Sequence, residues 1–310
     1  MRPSARELAI GRWPGILREL GVDPKFLTGK HGPCPTCGGE DRFRFDDQGG
    51  AGTYICSHCG AGDGFDLIQR ILGMEFKSAA KEVERLAGVV PKGKVVSKPP
   101  VPTAMLKRIW SESNPLADGD AGMAYLHRRG IPVPSPCPAL RTHPGLDYLD
   151  EKRRVIGVFP ALVAAFQDPS GKCTAIQRTY LGDGHKGKAA VAEPKKTLGK
   201  TGNGGAIRLS PHRHILGIAE GIESALAASV LMDIPVWAGI SANAIEAWEP
   251  PEGVREVVIC GDSDLSFTGQ KASYVLAYRL HARGFRVSVR FPPTEGVDWA
   301  DVVEGLGVAA

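Results

Sequence analysis

The chain has 310 residues, of which 43% are hydrophobic and 23% charged, and its net charge is +4. This length predicts two or three folded domains, and the composition excludes a low-complexity chain. The longest nearly apolar run, residues 155–166, is far shorter than the ~20 residues that a spanning helix needs, so we expect no membrane segment. Seven cysteines and an N-terminus without a secretory pattern favour a reducing, cytoplasmic compartment.

Two Cys-x-x-Cys knuckles follow a predicted helical segment at residues 1–28. Each knuckle precedes a glycine, and eighteen residues separate them, which is the spacing of a structural zinc site. Because four thiolates complete such a site, we expect His31 and His58 to face solvent or substrate instead of the metal. The predicted zinc ligands are Cys34, Cys37, Cys56 and Cys59.

The spacer between the knuckles alternates like two strands of a hairpin, which predicts a zinc ribbon at residues 29–87. A helical period interrupted near Gly73 predicts two helices that cover the ribbon. Arg42 and Arg44 alternate with aromatic residues, a pattern that suits single-stranded nucleic acid. One face of the hairpin must pack inward, however, so we expect some of these aromatic residues in the core.

A proline- and lysine-rich stretch at residues 88–103 is predicted to be a linker. Beyond it, residues 104–212 are predicted to form a mixed α+β domain, helical over 105–127 and with strands at 154–166 and 173–180. This domain ends in a basic stretch, which either follows a phosphate backbone or forms a solvated loop. The stretch contains Arg178, Lys186, Lys188, Lys195, Lys196, Lys200 and Arg208, against Asp183 and Glu193.

Strands and helices alternate through the last predicted domain, residues 213–310, which indicates a parallel sheet flanked by helices. The predicted fold class is therefore multidomain α/β. The carboxyl ends of parallel strands meet at one edge, so we expect the acids that follow two of them to converge. These acids are Glu220, Asp262 and Asp264.

Clustered carboxylates at strand ends are hard oxygen ligands suited to Mg²⁺, and two such ions serve in-line nucleotidyl transfer. The alternative is that each acid caps a helix, an interpretation that stays open for Asp298 and Asp301 taken alone. Glu223 is expected to act on the dipole of the first helical turn.

Residues 214–304 resemble a Toprim domain, the Rossmann-like catalytic fold of topoisomerases and bacterial-type primases. The resemblance is carried by Glu220-Gly221 after one strand, Asp262-Ser-Asp264 after another, and Asp298-Trp-Ala-Asp301. The run from His31 to Phe45 resembles the zinc ribbon of satellite-phage and plasmid primases. Residues 157–209 are similar to the basic part of the primase catalytic core.

The resemblance implies a Mg²⁺- or Mn²⁺-dependent DNA primase that makes short RNA primers on single-stranded DNA from ribonucleoside triphosphates. It implies that Glu220, Asp262 and Asp264 bind metal or act as general base, and that Asp298 supports them. It also implies that Arg178, Lys195, Lys196 and Lys200 hold template or nucleotide. We further expect a separate replicative helicase as partner. The alternatives are a non-catalytic recombination mediator with the same two modules, and a Toprim nuclease.

Overall fold

The computed structural model describes residues 3–93, 103–150, 154–182, 184, 187–201, 204–265 and 267–306. The chain divides into two compact units, Met1–Pro100 and Val101–Ala310. Part of the predicted linker, residues 94–102, lies outside the described residues, as do Asp183 and Lys186 of the basic stretch. The boundaries of the five segments drawn from the sequence stay predictions.

The first unit surrounds a small antiparallel sheet with short helices. Ser4 and Glu7 form a capping box at the start of the first helix. Asp63 and Asp66 form another at the start of the helix Gly64–Leu72, which Gly73 caps. The sheet order is β1-β2-β3-β4. The elements are α1 (Ala5–Ala9), α2 (Trp13–Glu19), a 3-10 helix (Pro24–Leu27), β1 (Gly32–Cys34), β2 (Gly38–Phe45), β3 (Tyr54–Cys56), β4 (Gly60–Gly62), α3 (Gly64–Leu72) and α4 (Phe76–Ala87).

The core of this unit confirms the predicted hairpin and its two covering helices. Phe43, Phe45 and Tyr54 are each only 2% exposed, so these aromatic side chains are core residues and not a stacking platform. Trp13 packs edge-on against Phe65 of α3, with ring centroids 4.9 Å apart. Burial of such rings is the main stabilising term that a sheet of this size has besides its metal site.

The second unit contains one ten-stranded sheet that runs through both of the downstream predicted domains. Its main order is β14-β13-β11-β12-β10-β7-β6-β5, while β8 pairs with β7 and β9 pairs with β8. The elements before the parallel part are α5 (Thr103–Glu112), β5 (Asn114–Pro115), α6 (Ala121–Arg128), β6 (Leu140–Leu149), β7 (Val155–Gln167), β8 (Cys173–Tyr180), β9 (Lys195–Gly199) and β10 (Ala206–Ile207).

The parallel part confirms the predicted alternation of strands and helices. Its strands β14, β13, β11 and β12 pair in parallel. Buried apolar residues occupy both faces of β11 and β13, as a sheet covered on both sides requires. The elements are β11 (Ile215–Ala219), α7 (Ile222–Met232), β12 (Val236–Ala238), α8 (Ala242–Ala247), β13 (Glu256–Cys260), α9 (Thr268–His281), β14 (Arg286–Arg290) and α10 (Trp299–Leu306).

Two features of the second unit differ from the sequence-based expectation. The helical pattern over residues 105–127 is two helices with the short strand β5 between them, because Pro115 cannot continue a helix. Strand β6 contains Pro144 and Gly145, which read as turn residues, and the strand accommodates them at a register shift between His143 and Leu146. Among the described helices, none has the length and apolar character that crossing a membrane requires.

Candidate active site and zinc centre

The four predicted zinc ligands converge at the end of the ribbon. All four Sγ atoms lie within 4.8 Å of one another, with Cys34 and Cys59 4.0 Å apart and Cys37 and Cys56 3.7 Å apart. A tetrahedral zinc ion with Zn–S distances near 2.3 Å requires sulfur atoms roughly 3.8 Å apart, so the set fits zinc. Gly38 and Gly60 directly follow the knuckles with φ of 69° and 85°, a region that favours glycine.

Hydrogen bonds to the sulfur atoms support the same assignment. The backbone N–H groups of Thr36 and Cys59 donate to the Sγ atoms of Cys34 and Cys56, at 3.4 and 3.3 Å. Burial would raise the pKa of the Cys34 thiol, but backbone N–H donors outweigh it and lower the pKa. Burial, followed by hydrogen bonds with Cys37 and Cys56, raises the pKa of Cys59 to about 12, so a bound dication would supply the charge that favours its thiolate.

The basic residues of the ribbon differ in their surroundings. Arg42 is exposed, whereas Arg44 is half-buried, with Nη1 3.2 Å from Nε2 of His31 and Nη2 3.8 Å from Asp46. His31 and His58 are outside the four-sulfur cluster. A cation available for phosphate contacts is therefore clearest at Arg42.

The acids of the second unit lie at the carboxyl ends of two neighbouring parallel strands. Ala219 at the end of β11 pairs in register with Cys260 at the end of β13. Glu220 therefore leaves the sheet beside Gly261 and Asp262. This is the edge at which ligands of open α/β sheets bind.

Burial and mutual repulsion perturb both carboxyl groups. Burial, followed by the charges of Asp262 and Asp264, raises the pKa of Glu220 to about 7. Burial, followed by the charges of Asp298 and Asp264, raises the pKa of Asp262 to about 6. Within the described residues, Oδ1 of Asp262 is buried without a hydrogen-bond partner.

These properties fit a divalent cation, which would neutralise the carboxylates and give the orphaned oxygen a partner. In the described part of the chain, however, the acids do not form a group of three ligand atoms within 4.8 Å, as the cysteines do. The carboxylates thus lie at one edge of the sheet but do not by themselves surround a metal ion. This is expected of magnesium sites that share ligation with substrate phosphates and water.

Asp264 and Asp298 also engage helix starts. Both oxygens of Asp264 accept backbone N–H groups at the start of α9, from Thr268 at 3.2 Å and Gly269 at 2.8 Å. Asp298 and Asp301 exchange side-chain-to-backbone hydrogen bonds at the start of α10, at 2.8 and 3.1 Å. These contacts are of the kind that the helix-capping interpretation predicts, and each acid retains lone pairs for a second contact, so its metal-binding role stays a prediction.

A buried carboxylate fixes two lysines beside the acid cluster. Nζ of Lys195 donates to Oε2 of Glu223 at 2.9 Å, and Nζ of Lys188 lies 3.9 Å from Oε1. The Tyr125 hydroxyl donates to Oε1 at 2.8 Å. Burial would raise the pKa of Glu223, but the charges of Lys195 and Lys188 outweigh it and lower the pKa to about 2. The charge of Lys195 opposes the rise in the pKa values of Glu220 and Asp262, so its ammonium group lies near the cluster.

The other predicted nucleic-acid residues belong to a different face of the sheet. Lys195 and Lys196 are neighbours on β9, so their side chains point to opposite faces. Nζ of Lys196 donates to the carbonyl of Leu149 at 2.6 Å and lies 3.9 Å from the centre of the Tyr148 ring. Arg178, which pairs with Lys196 across the strands, shares this face. Lys200 is exposed after β9.

Sequence reasoning missed Glu223, Lys188 and Tyr125 as members of this constellation. The signal for Glu223 was present, since it is the one charged residue of the helix Ile222–Met232 and is only 2% exposed. Lys188 was counted only in the basic stretch. Tyr125 is distant in sequence and offered no signal.

Three family models match the chain. Residues 29–65 match the zinc-binding domain of primase-helicase, and residues 215–308 match a Toprim domain. Residues 102–209 match a domain of unknown function (DUF7146).

Solved primase structures are similar at low sequence identity. The primase fragment of the bacteriophage T7 primase-helicase protein is 18% identical, with 91% of this chain and 99% of that chain covered at a TM-score of 0.41. The Aquifex aeolicus primase, with its zinc-binding and RNA polymerase domains, is 15% identical, with 99% and 83% covered at a TM-score of 0.42.

The segment that matches the zinc-binding domain carries the four-cysteine centre, and the segment that matches the Toprim domain carries the acid cluster. The predicted resemblance is therefore confirmed: the chain combines the zinc-binding domain of primase-helicases with a Toprim domain, which is the architecture of a Toprim-type primase.

Proposed function

We propose that this protein is a DNA primase that joins ribonucleotides into short primers on single-stranded DNA, in the replication of a phage or mobile element. The observation that carries the proposal is the position of the partly buried Glu220 and Asp262 at neighbouring strand ends, with Lys195 close to both. Carboxylates for metal beside a cation for phosphate are the parts that nucleotidyl transfer needs.

In this proposal Glu220, Asp262 and Asp264 hold Mg²⁺ or Mn²⁺, and Asp298 supports them. The bound metal would stabilise the charge that develops on the attacking and leaving oxygens. Lys195 holds the triphosphate, since Glu223 fixes its ammonium group at 2.9 Å.

Template contacts belong to separate basic groups in this proposal. Arg42 and Arg44 of the ribbon contact the template strand, and Arg178, Lys196 and Lys200 offer further cations for its backbone. The reaction is cytoplasmic, and a separate helicase supplies the single strand.

The test is primer synthesis from labelled ribonucleotides on single-stranded DNA with magnesium. We expect the wild-type protein to make primers and Asp262→Ala and Asp264→Ala to make none, because each variant lacks a metal carboxylate. Asp118→Ala, which removes an exposed acid in the same unit, is the matched control and keeps activity. Absence of primers from the wild-type protein on varied templates and metals would refute the proposal.

The helix-capping contacts of Asp264 and Asp298 favour one second candidate, a non-catalytic DNA-binding mediator. In that case the acids would stabilise helix starts without binding metal. DNA binding that survives Asp262→Ala and is lost with Arg178→Ala and Lys196→Ala, in a protein that makes no primers, would favour this candidate. A protein that degrades DNA without nucleotides would instead be a Toprim nuclease.

A further inference from the structure

A cavity of about 670 Å³ lies in the second unit, formed by residues around β7, β10 and β12. This volume is in the range of small-molecule sites. The described residues that line it include no carboxylate, and three prolines between residues 134 and 138 form part of its rim. The residues that give it chemical character are Trp110, Gln167, Arg208, Ser210, His212 and Trp237.

Aromatic side chains on this lining are held in fixed orientations. The indole N–H of Trp237 donates to the Ser210 carbonyl at 2.8 Å, and the ring is only 3% exposed. His212 meets it edge-on at 5.9 Å between ring centroids. Trp110, the second indole, is fixed by the Arg141 guanidinium 4.4 Å from its centre. Trp110 is only partly buried, so its indole is the pre-oriented ring that a planar aromatic ligand can reach.

Arg208 supplies positive charge that the fold does not neutralise. Its guanidinium lies 5.2 Å from the centre of the Trp237 ring, and Nη2 donates to the carbonyls of Asp168 and Pro169 at 2.8 and 3.0 Å. Among the described residues, no carboxylate lies within 4.0 Å of it. A guanidinium held by carbonyls and lacking an anion is suited to phosphate.

Two buried polar atoms beside the cavity have no partner in the described part of the chain. They are Nε of Arg208 and Oγ of Ser210. An unsatisfied buried polar atom is costly, and native folds keep few of them. Both atoms belong to residues that line the cavity, but the atoms themselves are enclosed by protein behind its surface.

We propose that this cavity binds a nucleotide unit, with the base against the Trp110 indole and the phosphate on Arg208. A nucleotide combines the flat ring, the anion and the hydrogen-bonding edges for which the lining is suited, and the available volume accommodates one. Free nucleotide and a nucleotide of a single strand share this chemistry. The proposal does not depend on primer synthesis.

The test is calorimetric titration of the zinc-loaded protein with adenosine 5′-monophosphate in magnesium-free buffer. We expect Arg208→Met to weaken binding about tenfold or more, the loss expected of a charged hydrogen bond worth at least ~1.4 kcal/mol. Arg213→Met removes an exposed charge next to the cavity and should bind like the wild type.

His212→Ala keeps the test decisive if Arg208→Met fails to fold. His212 lines the cavity and is exposed, so its removal should leave the melting temperature unchanged while it weakens binding. Ribose 5-phosphate and adenosine, each half of the ligand, should bind more weakly than the nucleotide. A short oligothymidylate that binds where the mononucleotide does not, and depends on Arg208, would identify the single strand as the source.

Three results would overturn the proposal. One is the absence of binding of both ligands at millimolar concentration. Another is equal affinity of the wild type, Arg208→Met and His212→Ala. The last is binding that Lys195→Met abolishes and Arg208→Met does not, since it would locate the nucleotide at the acid cluster.

Discussion

Replacement of Glu223 by alanine tests whether the buried carboxylate organises the lysines of the acid cluster. Glu223 is 2% exposed and joins Lys195, Lys188 and Tyr125. Removal of one partner from a buried ion pair costs about 3–5 kcal/mol. The lysine side chains are 34% and 37% exposed, so water recovers part of this cost. The Tyr125 hydroxyl also loses its acceptor, a further cost of about 1–3 kcal/mol.

We therefore expect Glu223→Ala to lower the free energy of unfolding by about 3 kcal/mol in all. For a unit of this size that corresponds to about 6–12 °C in melting temperature. The assay is thermal unfolding of the protein in magnesium-free buffer, followed by measurement of KM for ribonucleotides. KM should rise, because Lys195 is no longer fixed.

The matched control is Glu246→Ala, which breaks the 2.9 Å ion pair with Lys271, whose side chain is 68% exposed. An exposed pair of this kind contributes less than about 1 kcal/mol. Equal destabilisation by Glu223→Ala and Glu246→Ala, or an unchanged KM in Glu223→Ala, would refute the reasoning.

Three further predictions concern the metals and the acid cluster. In the folded state, Glu220 keeps its proton up to about pH 7 and Asp262 up to about pH 6. The unfolded chain releases both protons at lower pH. Stability without metal should thus fall as pH rises from about 4.5 to 7, while the magnesium-induced rise in melting temperature should grow over the same window. Gly269→Ala would put a Cβ 2.8 Å from Oδ2 of Asp264, and we expect about 100-fold less primer synthesis. Cys59→Ser should lose zinc on metal analysis, and should impair template choice and initiation more than primer extension.

Each of these predictions has a result that contradicts it. A magnesium effect that is the same at pH 5.5 and 8 would exclude the two carboxylates as its source. Gly305→Ala, where nothing lies within 4 Å of the added Cβ, is the control for Gly269→Ala, and equal losses in both would contradict the steric argument. Equal loss of initiation and extension in Cys59→Ser would indicate that the ribbon only maintains the fold.

Local patterns predicted the features that depend on neighbours in the chain. The knuckles of the ribbon and the strand that ends at Cys260 follow from spacing and periodicity alone. The partners of Glu223 did not follow, because Tyr125 lies 98 residues away and meets it only after the sheet forms. Strand β6 was missed because Pro144 suggests a turn, and only the long-range pairing with β7 overrides that local preference.

The consecutive lysines of β9 have a consequence for folding accuracy. Pairing of Thr179 with Lys195 and of Arg178 with Lys196 sets which lysine meets each face of the sheet. A slip of one residue in either direction would keep a lysine on one face and put Pro194 or Thr197 on the other. Only one alignment of this strand therefore places a lysine on each face of the sheet. A misaligned molecule would lose the lysine contact on one face and keep a lysine on the other.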